Sequence, residues 1–369
     1  MSAVSERLPT FPWDKLEPYK KTAAAHPDGI VDLSVGTPVD PVPDLIQKAL
    51  IDAADSPGYP TVWGTPALRD AITGWVGRRL GARDVTHRHV LPIVGSKELV
   101  AWLPTQLGLG PGTATSKDVV AYPRLAYPTY EVGARLARAD YVVYDDPRDL
   151  DPTNLKLLWL NSPSNPTGKV LSKQELTEIV AWARAHGVLV FSDECYLELG
   201  WEADPVSVLH PDVNGGSYDG IVAVHSLSKR SNLAGYRAAF LAGDPAVLGP
   251  LLEIRKHGGM MTSAPTQAAV VAALSDDTHV QEQRERYASR RALLREALVA
   301  HGFRIEHSEA SLYLWATRDE SCWQTVSHLA DRGILVAPGD FYGEAGENFV
   351  RVALTATDER VRAAVERLS

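Results

Sequence analysis

The stretch LKLLWLN-SPSNPTGKVL-SKQELTEIVAWARAHG-VLVFSD, residues 155–193, decides the fold. Its two short apolar runs, Leu155–Asn161 and Val188–Asp193, have the length and side chains of buried strands. Between them Leu176, Ile179, Val180 and Ala183 fall at helical spacing. Ser172, with Glu175 three residues on, makes the capping box that starts this helix. A strand, a helix and a second strand in succession give a parallel strand pair with the helix laid across one face.

The same pattern extends outward. Strand-like runs recur at Ile30–Ser34, His89–Val94, Asp118–Tyr122, Tyr141–Tyr144, Gly220–Ser226 and Arg237–Gly243, and Leu68, Ile72, Trp75, Val76 and Leu80 lie on one helical face. The expectation is an α/β fold: a large domain with a mostly parallel sheet covered by helices on both faces. After Pro245 the texture changes to a long charged helix over 278–300, then short strands near 303–306, 311–316, 334–337 and 348–354 between helices. This tail reads as a smaller α+β domain. The expected division is a large domain over 40–250 and a small one from 1–39 with 251–369. Residues 113–117 read as a short surface insertion.

Lysine plus arginine total 37 and aspartate plus glutamate 46 in a chain of 369 residues, so the formal charge is −9. That balance argues against nucleic acid as the main partner, which needs a basic face. No apolar run reaches the roughly 18–20 residues of a membrane-spanning helix. The first residues lack the apolar core of a secretion signal. Two cysteines, Cys195 and Cys322, cannot build a disulfide framework, so a reduced cytoplasmic setting without membrane attachment is expected. No metal site is expected. Gly108, Gly110 and Gly112 precede a strand and are interrupted by Pro111, so they read as a turn and not as a dinucleotide fingerprint.

In open α/β sheets ligands bind beyond the carboxyl ends of the strands. Polar residues gather there: Gly95-Ser96-Lys97-Glu98, Asn161 to Gly168, Asp193 to Tyr196, and Ser226 to Lys229. Ser226 stands three residues before Lys229 and Arg237 eight residues after it. A serine and an arginine able to hold a phosphate beside a lysine point to a phosphorylated aldehyde bound to that amine, as pyridoxal phosphate would be. Asp193 ends a buried strand and needs a partner, which a protonated pyridine nitrogen would supply. Tyr196 and Asn165 could donate to the ring's 3-oxygen, although an asparagine-proline turn is also an ordinary structural element. A helix starting at Ser96 offers free backbone N–H groups to phosphate. Tyr127 could stack on a flat ring or simply pack at a helix start. Arg351, inside an apolar strand, must meet either an internal acid or a bound carboxylate.

Taken together, Asn165-Pro166-Thr167-Gly168, Asp193 to Tyr196, Ser226-x-x-Lys229 and Arg237 resemble the fold-type I, class I/II aminotransferases. The resemblance runs from Leu33-Ser34-Val35-Gly36 to Arg351. It implies the aspartate aminotransferase-like fold and pyridoxal 5′-phosphate as cofactor. Lys229 would carry the cofactor and move protons; Asp193 would pair with the ring nitrogen; Asn165 and Tyr196 would bind the 3-oxygen. Ser96, Lys97 (through its N–H), Ser226 and Arg237 would hold the phosphate, and Tyr127 would stack on the ring. Arg351, with Gly36 and Asn165 beside it, would bind the substrate α-carboxylate. Tyr59 would reach the phosphate of a neighbouring subunit, which implies a homodimer with shared active sites.

The stretches FPWDKL, HPDGIVDLSVGTPVDPVP, GYPTVWGTPALR, SLSKRSNLAGYR and VAPGDFYG narrow the likeness to actinobacterial N-succinyldiaminopimelate aminotransferases. The implied reaction exchanges an amino group between N-succinyl-LL-2,6-diaminopimelate and 2-oxoglutarate, in lysine and diaminopimelate biosynthesis. Other aminotransferase types (aspartate, kynurenine, LL-diaminopimelate) and a C–S β-lyase share the same cofactor residues. Because the implied substrates are polyanionic, further cations are expected, with Lys97, Arg124 and Arg230 as candidates.

Overall fold

The structure, a computed structural model, describes residues 4–111 and 117–369. The expected insertion at 113–117 falls outside these residues except for Lys117, which pairs with Asp140 at 2.9 Å. The first short strand, β1 (Val31–Asp32), belongs to a minor sheet. The large sheet contains β2 (Val90–Ile93), β3 (Val119–Pro123), β4 (Asp140–Tyr144), β5 (Leu155–Asn161), β6 (Leu189–Asp193), β7 (Ile221–Ser226) and β8 (Ala239–Gly243). Their spatial order is β2-β8-β7-β6-β5-β3-β4. Only β8 runs against its neighbours β2 and β7; the other pairings are parallel.

Local chemistry explains the elements. The helix Lys173–Ala185 starts where Ser172 accepts from the Glu175 N–H at 3.2 Å and Glu175 accepts from the Ser172 N–H at 2.8 Å. Those bonds, the backbone one foremost, lower the Glu175 carboxyl below its usual range. Its apolar stripe, Leu176, Ile179, Val180 and Ala183, packs on one face of the sheet with Leu158, Leu160 and Val190. Leu157, Trp159 and Phe191 alternate to the opposite face, under Leu99, Val100 and Tyr130. The strands are therefore apolar on both sides, which a parallel sheet sandwiched between helices demands. Full burial of each large aliphatic side chain contributes about 1.5–3 kcal/mol.

The smaller domain is built on β9 (Arg304–Glu306), β10 (Tyr313–Thr317), β11 (Ile334–Leu335), β12 (Ala337–Pro338) and β13 (Val350–Ala353). Strands β12-β13-β10-β9 form an antiparallel sheet, and β1 pairs with β11. The strand β1 near the chain's start thus pairs with β11 near its end. The expected boundary at 250 needs correction. The helices Pro245–Gly258 and Ala264–Ser275 send Leu251, Ala269, Val270, Ala273 and Leu274 into the core of the large sheet. The small domain therefore resumes near 276, because the apolar stripes of these two helices match the large sheet. The long helix Thr278–Ala300 bridges the domains: Arg290 binds Asp40 at 2.6 and 2.7 Å and Asp358 at 2.6 Å. No helix among the described residues is long and apolar enough to cross a membrane.

Candidate active site

The carboxyl ends of β2, β5, β6 and β7 deliver Gly95, Asn161, Asp193 and Ser226 to one edge of the large sheet, and β13 brings Arg351 from the small domain. Lys229 follows β7 on a single turn, Leu227–Arg230, capped by the Ser226 hydroxyl, which accepts from the Ser228 N–H at 3.2 Å. The Lys229 side chain is partly buried, and its amine donates to the Gly36 carbonyl. Burial foremost, and the charges of Arg351 and Arg237, hold its pKa below the ordinary lysine value. A lysine held this way can be a neutral nucleophile and base.

Asp193 is 8 % exposed. Its carboxylate accepts from the Tyr130 hydroxyl at 2.9 Å and the Cys195 N–H at 3.2 Å. Burial pushes its pKa up against the lowering by these bonds. Among the described residues the donors in contact with it are neutral, and such a buried carboxylate favours a cationic partner. Asn161 fastens the neighbouring segment: its amide donates to the Asp193 carbonyl at 3.1 Å and its oxygen accepts from the Asn165 N–H at 2.8 Å. The Asn165 side-chain oxygen in turn accepts from Arg351 Nη1 at 2.8 Å, which leaves the Asn165 amide N–H groups as donors.

Arg351 is 3 % exposed and has no acid in salt-bridge contact among the described residues. Its second nitrogen donates to the Ser34 carbonyl at 2.8 Å, and its Nε is buried without a partner. Tyr313 and Tyr342 cover it, with ring centroids 3.9 and 4.8 Å from the guanidinium carbon. No internal acid pairs with it among the described residues, and a buried guanidinium without one suits an anion.

A second cationic corner lies at the start of the helix Ser96–Gln106. Gly95 has φ +108°, and a Cβ there would lie 2.1 Å from Arg237 Nη2. Glycine is required for this approach, which sets a guanidinium against the free N–H groups of a helix N-terminus. Ser226 is buried at the end of β7, and Arg237 is anchored through Nη1 to the Ala234 carbonyl at 2.7 Å. Tyr127 lies beside Tyr130 with ring centroids 6.1 Å apart, and burial pushes its hydroxyl up to about 12.

Sequence reasoning missed Tyr130, Tyr313, Tyr342 and Ser34. Tyr130 stands three residues after Tyr127, in the first turn of the helix Thr129–Ala137, a nearness in sequence that could have drawn it in. The others come from strands and loops distant in sequence. The three candidate second cations are not assembled there as free charges. Arg230 is buried in an ion pair with Glu198, 3.6 Å from Asp277 and stacked over Trp75. Arg124 pairs with Asp145 at 2.9 Å on the surface, and the Lys97 amine lies 5.7 Å over the Phe11 ring. Burying Arg230 without Glu198 would cost more than a substrate contact could return. Tyr59 is 97 % exposed on this chain and remote from a packed environment.

The donor set fits a phosphorylated pyridine aldehyde: a cradle at Gly95 and Arg237 for phosphate, a buried carboxylate for a ring cation, and a partly buried amine for an aldehyde. The sequence profile of the family Aminotransferase class I and II matches residues 28–368. The chain is 61 % identical over 362 residues to 4-dedimethylamino-4-oxo-anhydrotetracycline transaminase OxyQ of Streptomyces rimosus, covering 98 % of this chain and 99 % of that one. It is 59 % identical over 366 residues to a "probable aminotransferase" of Mycobacterium tuberculosis, covering 99 % and 86 %. The solved structure of a "probable N-succinyldiaminopimelate aminotransferase" from Thermus thermophilus superposes with a TM-score of 0.86 at 27 % identity, over 97 % of this chain and 99 % of the other. With a lysine amine, a buried carboxylate and a phosphate cradle on the edge of an aspartate aminotransferase-like sheet, this chain belongs to the pyridoxal-phosphate-dependent class I and II aminotransferases.

Proposed function

We propose that this aminotransferase exchanges an amino group between glutamate and N-succinyl-2-amino-6-oxopimelate, with 2-oxoglutarate and N-succinyl-LL-2,6-diaminopimelate as the products. The observation that carries the amino-acid part of this reading is Arg351: buried, held by Asn165 and Ser34, and lacking an acid in contact among the described residues. It suits an α-carboxylate by the bidentate fit of guanidinium to carboxylate. The succinyl part rests on the quoted sequence likenesses and on the name of the Thermus protein.

When bound, the cofactor supplies an electron-withdrawing ring that disperses the negative charge developing at the substrate α-carbon. The chain's residues do the rest. Lys229 would hold the cofactor through its aldehyde, and its Nζ, when free, would take the substrate α-proton and give it back. Its lowered pKa makes that nitrogen more available as a base than an ordinary lysine. Asp193 would keep the ring nitrogen protonated, its carboxylate held in place by Tyr130 and the Cys195 N–H. Asn165 and Tyr196 would donate to the 3-oxygen; Arg237, Ser226 and the N–H groups of Ser96 and Lys97 would take the phosphate; Tyr127 would stack on the ring. Arg351, with Gly36 alongside, fixes the carboxylate so that the α-hydrogen faces Lys229. Tyr59, unpacked on its own subunit, reaches the phosphate of a second copy in a cytoplasmic homodimer.

A second reading is amination of a bulky polyketide ketone from an amino-acid donor. It is favoured by the 61 % identity to the tetracycline-series transaminase, and by the engagement of Arg124 and Arg230 with Asp145 and Glu198. The test mixes the cofactor-loaded protein with single amino donors and follows bleaching of its visible band, then offers each acceptor to the aminated form. Glutamate should bleach the band, and the succinylated oxo acid should restore it. Restoration only by an oxo-anhydrotetracycline supports the second reading, and failure of any α-amino acid to bleach the band overturns both.

A further inference from the structure

Consecutive side chains from Lys229 to Asn232 fasten one turn to both places where the chain passes between the domains. On the first passage, the Lys229 amine donates to the Gly36 carbonyl. Asn232 donates to the Pro41 carbonyl at 3.3 Å and to Gln283 Oε1 at 3.1 Å, and Gln283 reaches back to Asp40 at 2.8 Å. On the second passage, Arg230 donates to the Ala273 carbonyl at 2.9 Å. The Ser231 hydroxyl, fully buried, meets His279 Nε2 at 2.8 Å. His279 lies in the first turn of the long helix Thr278–Ala300, and its Nδ1 stands 2.6 Å from Asp276.

The donors in this chain follow one direction. Asp276 also accepts from the His279 backbone N–H at 3.0 Å. Against burial, the backbone and side-chain bonds of His279 hold its carboxyl below the usual range. An ionised carboxylate only accepts, so His279 Nδ1 carries a proton. Burial foremost, and the charge of Arg230, hold the imidazole pKa below its ordinary value against the pull of Asp276 and Glu198. The neutral ring leaves Nε2 as an acceptor. Arg230 Nη1 donates to the Ser231 oxygen at 3.0 Å, so the hydroxyl's own proton goes to Nε2. The order aspartate, histidine, serine is that of a hydrolytic triad, in which the serine oxygen attacks a substrate. Here that oxygen is closed off from solvent and already accepts from Arg230, so no substrate reaches it.

We propose that Ser231, His279 and Asp276 are positioning residues that hold the Lys229 turn against the start of the long helix and so fix where the lysine amine stands for proton transfer. This rests on the functional reading above, in which Lys229 moves the α-proton. The turn Leu227–Arg230 is a single one, too short to be stable without outside support. Asn232 follows it at φ +57°, a left-handed conformation that asparagine tolerates. A misplacement of about 1 Å at a reacting group costs up to roughly a hundredfold in rate. An anchor two residues beyond Lys229 therefore acts on the rate without touching substrate.

The experiment follows bleaching of the visible band of the holoenzyme by glutamate in a single turnover, with cofactor affinity measured alongside. Ser231→Ala should slow bleaching at saturating glutamate by roughly tenfold. The half-saturating glutamate concentration and the cofactor affinity should stay within about twofold, since Arg351 and the corner at Gly95 and Arg237 are untouched. His279→Gln keeps an acceptor at the Nε2 position and should bleach nearly as fast as the parent. His279→Asn keeps a donor at the Nδ1 position, which serves the helix start through Asp276 but leaves Ser231 without its acceptor. It should be as slow as Ser231→Ala. With glutamate deuterated at the α-carbon, the isotope effect in the slow variants should be at least as large as the parent's, because proton removal is the step impaired. Undiminished rates in Ser231→Ala and His279→Asn, equal slowing by glutamine and asparagine, or rescue by asparagine alone overturns the proposal. A loss that falls on half-saturation or cofactor affinity instead of rate overturns it too. A Lys229→Ala protein that still forms the band and bleaches overturns the functional reading itself, and the proposal with it.

Discussion

The Arg237 guanidinium lies against the backbone of Gly95, where a Cβ would come 2.1 Å from Nη2. Two segments 142 residues apart in sequence are thereby pressed into one anion-binding corner. At φ +108° a side chain would also strain the backbone, at a cost of about 1–3 kcal/mol. Gly95→Ala should therefore fold but displace Arg237 and weaken pyridoxal phosphate binding by roughly ten- to a hundredfold, each tenfold being about 1.4 kcal/mol. Equilibrium titration of the apoprotein with cofactor measures it, and unchanged affinity would remove the phosphate from this corner.

Lys229→Ala should abolish the visible cofactor band and nearly all turnover. Borohydride treatment followed by peptide mass analysis should label Lys229 in the unsubstituted protein. A yellow, active alanine variant would move the attachment to another amine.

The same lysine sets a pH dependence of the apoprotein's stability. Its folded-state pKa is depressed by burial from the ordinary 10.5. Between the folded value and 10.5 the unfolded chain binds more protons at this amine, so its contribution makes stability rise with pH through that window. Lys229→Met should raise the apoprotein's Tm at pH 7–8, and the gain should fade as pH approaches 10.5. A gain that grows with pH would contradict the burial of this amine.

Tyr130→Phe removes the hydroxyl donor to Asp193, a bond of 2.9 Å, and leaves the carboxylate to Cys195. Losing a buried donor to a carboxylate costs about 1–3 kcal/mol. The Asp193 pKa should move further upward, cofactor affinity should fall several-fold, and Asp193→Ala should be more severe. Fluorescence titration with cofactor compares the three proteins; a Tyr130→Phe protein indistinguishable from the parent would show that the carboxylate needs no such support.

Arg351→Ala should raise KM and lower kcat together for every α-amino acid donor, with kcat/KM falling by roughly a hundredfold or more, because carboxylate anchoring sets the geometry of proton removal. Steady-state kinetics with glutamate and with a second amino donor measure it. Kinetics changed for one donor alone would place the common carboxylate elsewhere.

Much of this molecule was legible in the chain. The capping box at Ser172 and Glu175, the two-sided apolar strands and the polar residues directly after them are local features, governed by hydrogen bonds and periodicities spanning a few residues. The motif residues that follow a strand, Asn165, Asp193, Ser226 and Lys229, were visible for that reason. The domain boundary was less so: the helix Ala264–Ser275 is apolar enough to pack in either domain, and only the match with the large sheet decides which.

The order of residues by itself determined a parallel sheet with a lysine, an aspartate and an arginine beyond its strand ends, since strand length, helix caps and motif spacing are local. Only the tertiary structure decided that Tyr130 holds Asp193, that Arg230 is occupied by Glu198, and that Tyr313 stands between Tyr196 and Arg351. Those contacts join side chains 32 to 117 residues apart. At such separations no periodicity links the partners: packing within the large domain selects the first two, and the packing of the small domain against it brings Tyr313 to Tyr196.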